Sequence, residues 1–142
     1  MDNNNNLKRF LEAQNQTYLK ALSEIKKGRK ETHWMWFIFP QLRGLGQSDM
    51  ATFYGISGLQ EAEDYLNHPV LGKHLVEISE AVHQLEGKTA LQIFGSPDHL
   101  KLKSCMTLFA AVKDSNLIFL KVLEKFFDGE QDPLTLKLLF KK

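Results

Sequence analysis

A chain of 142 residues, 43% apolar and 25% charged, has room for one folded domain and no second. Folding takes about two-thirds of such a chain's surface out of water, enough for an independent core. Eighteen basic and seventeen acidic residues leave a formal net charge of +1. That balance argues against nucleic acid or a membrane surface as partner and leaves only a local patch to attract charge.

Residues 1–6 read as a disordered polar tail, and residues 7–142 as a single domain. From Leu7 onward, Phe10, Leu11, Tyr18, Ala21, Leu22 and Ile25 recur every three or four positions. This is the stripe of an amphipathic helix, stopped by Gly28 behind the basic pair Lys26-Lys27. The next segment opens polar (Arg29 to His33) and turns apolar on every side, Trp34 to Phe39, before Pro40. Uniform apolarity means burial, as a short helix or an irregular plug, and Pro40 ends any helix there. Gln41 to Ser48 is a glycine-punctuated loop, and Ser48 or Asp49 caps a brief helix through Tyr54. Ser57 precedes a helix over 59–66. His68-Pro69 opens one that runs to Glu86 with Pro69 in its first turn. Thr89 caps a short helix ending at Gly95, and Ser96 caps one from Pro97 to about Val112. Asp114 or Ser115 begins a helix over 117–127 that Gly129 closes, and Asp132-Pro133 starts the last. The expectation is an all-α fold: one compact domain of six to eight helices of unequal length, not a regular four-helix bundle.

The single cysteine, Cys105, can form neither an internal disulfide nor a thiolate metal cage, and its place on an apolar stripe suggests a packed thiol. The longest apolar run, Trp34 to Phe39, would span ~9 Å as a helix against the ~30 Å of a bilayer core. The N-terminus lacks the order of a secretory signal. A soluble, cytoplasmic protein is expected.

The strings His33-Trp34-Met35-Trp36-Phe37-Ile38-Phe39-Pro40-Gln41-Leu42, Gly44-Leu45-Gly46, His68-Pro69-Val70-Leu71-Gly72 and Ile93-Phe94-Gly95 occur here together. They are joined by Pro97-Asp98, Lys101 and the run Ser104 to Phe109. In this the chain resembles the bacterial domain-of-unknown-function family 1810, over about Leu7 to Leu139. The resemblance implies a single helical domain and brings no biochemical function. Members usually carry Asp where His99 stands and Ser where Cys105 stands, so chemistry at either position would be peculiar to this chain.

Several constellations bear on function. On a helix His33 shares a face with Trp36 and Phe37, so an imidazole could bind or protonate a planar ligand between aromatic walls. It could equally be a core histidine bonded to carbonyls. Arg29, Lys30 and Arg43 beside Gly44 and Gly46 could form an anion site, although no phosphate-loop pattern is present. Lys103, Ser104 and Thr107 could contact a ligand or let a neighbouring helix approach. Glu80 with His83 is one copy of a spacing that helical di-iron sites need twice, and Glu61, Asp64 and His68 sharing a face are weak evidence for a metal, so no metal or cofactor is expected. Two functional readings follow. In the first, Tyr18, Lys30, His33, Trp36, Gln41, Arg43, Gly44, Gly46, Lys103, Ser104 and Thr107 line a pocket for a small anionic or nucleotide-like ligand. Any catalysis would use His33. In the second, the protein is a helical interaction or regulatory module without catalytic activity. Homo-oligomerisation is left open.

Overall fold

The computed structural model describes residues 3–140. Among them the chain forms nine helices and no strand: α1 (Asn3–Lys26), α2 (Met35–Ile38), α3 (Asp49–Tyr54), α4 (Leu59–Asn67), α5 (Leu71–Gln84), α6 (Ala90–Phe94), α7 (Asp98–Ala110), α8 (Ile118–Phe127) and α9 (Pro133–Leu139). The all-α expectation holds. The count exceeds six to eight because each short apolar or capped segment folds as a helix of its own. α1 begins at Asn3 rather than Leu7, and Met1 and Asp2 lie outside the described residues. Its stripe is buried as read, with Leu11 partly so.

Helix ends show how local chemistry sets the boundaries. Ser48, Thr89 and Asp132 cap α3, α6 and α9 through their side chains, Thr89 in a full capping box with Gln92. Three expected starts differ. The imidazole Nδ1 of His68 accepts from the amides of Val70 and Leu71 at 3.1 and 3.3 Å, so α5 opens at Leu71 and Pro69 lies in the preceding turn. Ser96 does not cap α7: the Ser96–Pro97 bond is cis and Pro97 takes the N-cap position. Asn116, rather than Asp114 or Ser115, accepts the first amide of α8, from Ile118 at 2.8 Å.

α5 packs on α1, α4 and α8, while α7 packs on α4, α6, α8 and α9. The α4–α5 corner is tight enough that a Cβ at Gly72 would lie 2.0 Å from the Leu66 carbonyl oxygen. A column of rings crosses the core, Tyr54–Phe10–Tyr65–Phe109–Phe119, with successive centroids 5.8, 5.1, 5.3 and 5.9 Å apart. Such pairs add roughly 0.5–1.5 kcal/mol each beyond the area they bury. α2 plugs one end of this core, with Trp34, Met35, Phe37, Ile38 and Phe39 all buried. No described helix is long and apolar enough to cross a membrane.

Candidate functional site

The segment between α1 and α2 is fastened before it reaches the site. The Glu24 carboxylate, near the end of α1, accepts from the amides of Glu31 and Thr32, from the Thr32 hydroxyl and from Trp34 Nε1–H, all at 2.7–3.0 Å. Burial by itself would raise this carboxyl's pKa. The donors from Thr32, Glu31 and Trp34 outweigh burial and hold it at about 2. Lys30 N–H also donates to the Ile93 carbonyl at 2.7 Å, tying the segment to α6.

Anchored in this way, Lys30 delivers its ammonium to Asp98 at the first turn of α7, 2.9 Å away and 5.1 Å from the Trp34 ring centroid. Lys101, one turn further along α7, reaches the same carboxylate at 3.5 Å and lies 5.5 Å from the centroid of Trp36. Two ammonium groups, each over one indole, thus share a single carboxylate. The trio carries a net charge of +1 in a half-enclosed place, where water neutralises charge less well than at an open surface. Trp34 is fully enclosed, but Trp36 is half-buried and lines a narrow slot with Gln41, Tyr54, Gly55 and Lys101. The slot holds about 10 Å³, close to the room that one water requires. Gly46 abuts it: a Cβ there would lie 3.4 Å from Gln41 Nε2 and 2.6 Å from Ala51 Cβ.

Of the residues expected to form one pocket, Trp36 and Gln41 line the slot, Gly46 abuts it and Lys30 connects to it through Asp98, while the others are elsewhere. His33 is exposed, makes no hydrogen bond among the described residues and is not part of the slot's lining. Tyr18 lies between α1 and α5, its ring stacked on His74 at 3.6 Å and its hydroxyl donating to Glu77. Burial, with the Glu77 contact, pushes its pKa far up. Arg43 donates to the carbonyls of Thr52 and Gly55 at 3.3 and 3.1 Å, and so secures the end of α3. Gly44, at φ +104°, supplies a left-handed turn facing Leu138. Ser104 and Thr107 are buried against the start of α9: Ser104 Oγ donates to Asp132 Oδ2, and Thr107 Oγ1 accepts from the Asp132 amide at 2.8 Å. Lys103 pairs with Glu130 beside Phe127. The Ser104 and Thr107 hydroxyls thus both meet the residue that caps α9. Glu61 binds Arg9 bidentately at 3.1 and 3.2 Å, and no group of three metal-ligating side chains occurs among the described residues.

Asp98, Lys101 and Tyr54, which the structure places here, are not among the residues expected from the sequence. Asp98 and Lys101 stand among the strings that carry the family resemblance, about sixty residues beyond the aromatic run, and only folding puts them beside it.

The family model described as a protein of unknown function, DUF1810, matches residues 4–139. The chain belongs to this family. Among solved structures, the DUF1810 chain is similar to the conserved hypothetical protein Rv1873 from Mycobacterium tuberculosis, with 49% identity and a TM-score of 0.93. The likeness covers 96% of this chain and 97% of that one. A search of curated proteins gives no match.

Proposed function

We propose that this protein binds a small anionic ligand bearing a planar group, laid across the mouth of the Trp36–Gln41–Lys101 slot. One observation carries the reading: Lys30 and Lys101 share the single carboxylate of Asp98 beside a half-exposed indole. The uncompensated positive charge favours an anion, and the indole face favours a flat ring. The Gln41 amide offers both a donor and an acceptor to orient that ring. A slot of water size cannot engulf a ligand, so the ring stacks over Trp36 and the anion meets Lys101 at the rim. The reading concerns binding, and no proton transfer is assigned to His33. The single cysteine, buried and unpaired, suits a cytoplasmic location.

Tryptophan fluorescence with a nucleoside monophosphate, adenosine and inorganic phosphate tests this directly. The monophosphate should quench Trp36 saturably, whereas adenosine or phosphate alone should act far more weakly. At 100 times its dissociation constant the monophosphate should add about 2.7 kcal/mol of stability. Lys101→Met should weaken binding at least tenfold while changing stability by under ~1 kcal/mol, because its ion pair is partly exposed. Equal affinity of Lys101→Met and wild type would refute the assignment. A flat response across all nucleotides and phosphorylated aromatic acids would favour the interaction-module reading instead.

A further inference from the structure

A second concavity, of about 510 Å³, lies between the turn that follows α1 and the loop that enters α6. Two contacts build it: the Lys30 amide on the Ile93 carbonyl at 2.7 Å, and Lys88 Nζ on the Gly28 carbonyl at 3.0 Å. Gly28 is needed for that approach. Its φ is +88°, and a Cβ would lie 2.7 Å from Lys88 Nζ. The groove therefore has a fixed ammonium in its lining, with N–H donors left over after the bond to Gly28. Its lining also includes Arg29, exposed, whose guanidinium has no hydrogen bond or ion pair among the described residues. Lys26 and Lys27 precede Arg29 in the chain, and both are exposed. Among the described residues no carboxylate lines the groove, and Lys30, which also borders it, is paired with Asp98. By contrast, the larger concavity beside α4 and α5 carries both signs, Glu63 and Asp114 with Lys73 and Lys113.

We infer that this groove binds an oligophosphate, two adjoining phosphoryl groups of a small molecule. A guanidinium with all five N–H groups unspent presents a planar fork that matches two phosphate oxygens, and a held ammonium adds a point charge without losing side-chain freedom on binding. A diphosphate brings more charge and more acceptor oxygens than a single carboxylate or phosphate, and so can engage both cations of the groove at once. The groove is distinct from the Trp36 slot, and the inference does not depend on that reading.

The test is titration of ¹⁵N-labelled protein with inorganic pyrophosphate at constant ionic strength, followed by amide shifts. Saturable movement of Gly28, Lys88 and Gly95 is expected, with orthophosphate at least tenfold weaker. The Arg29 guanidinium has no partner among the described residues, so Arg29→Ala should fold normally and weaken pyrophosphate at least tenfold, about 1.4 kcal/mol. Lys88→Gln should do likewise. Lys101→Met should leave it unchanged, which separates this groove from the aromatic slot. Shifts that rise linearly over all surface lysines, or undiminished binding by Arg29→Ala, would overturn the inference.

Discussion

At the scale of single residues, a few buried polar groups fix the geometry that the apolar core leaves loose. Glu24 collects four donors at a place where its charge has lost most of its water. Glu24→Ala should cost about 3 kcal/mol in urea unfolding, because Trp34 Nε1–H then stays buried without an acceptor. It should also loosen the Lys30–Asp98 approach and so weaken any ligand at Trp36. Gln14 plays a similar part in α1. Its amide N–H groups donate to the Phe37 carbonyl and the Tyr65 hydroxyl, each at 2.8 Å, which leaves its oxygen to accept from His74 Nδ1–H. Neither residue could be singled out by periodicity, since hydrophobic spacing is silent about polar side chains that fold inward. The buried apolar stripe of α1 was legible, because amphipathic spacing and burial report the same thing.

At the scale of elements, short helices persist because side chains from longer ones hold their ends. α9 is the clearest case. Asp132 caps it through Thr135 and is itself held by Ser104 and Thr107 of α7. Thr107→Val keeps the volume but strips the Asp132 amide of its acceptor. It should cost about 1–2 kcal/mol and raise hydrogen exchange over 132–139 more than in α7. Ser104 and Thr107, which look like ligand contacts on a helical wheel, thus hold the start of α9. A hydroxyl one turn from a lysine carries no mark of whether a ligand or another helix will cover it. Gly72 shows the same ambiguity: its need for closeness to Leu66 arises only when α4 and α5 meet.

At the scale of the whole molecule, two carboxylate and imidazole environments set how the fold meets acid. His74 is held below its ordinary pKa by burial, against the opposing charge of Glu77, so as pH falls below 6.5 the unfolded chain takes up its proton first and stability declines. Glu24, depressed to about 2, contributes fully above pH 4.5 and loses that contribution between 4.5 and 2. Urea midpoints measured from pH 8 to pH 3 should therefore fall in two stages. His74→Gln should flatten the upper stage and Glu24→Gln the lower. A single transition unaffected by either substitution would show that other groups govern acid unfolding. The net charge of +1 hides this local unevenness, since positive charge gathers at Lys30–Lys101 and Arg29–Lys88 while most carboxylates lie elsewhere.

The helical class, the buried aromatic segment and the caps at Ser48, Thr89 and Asp132 were decided by the chain itself, because propensity, periodicity and capping act over at most a few residues. Which polar groups share a site was decided only by packing. Lys30 and Trp36 meet Lys101 because α7 lies against α6, while His33, Arg43 and Tyr18 are drawn to solvent, to α3 and to α5. Those distances depend on contacts between residues far apart in the chain, and no local spacing encodes them.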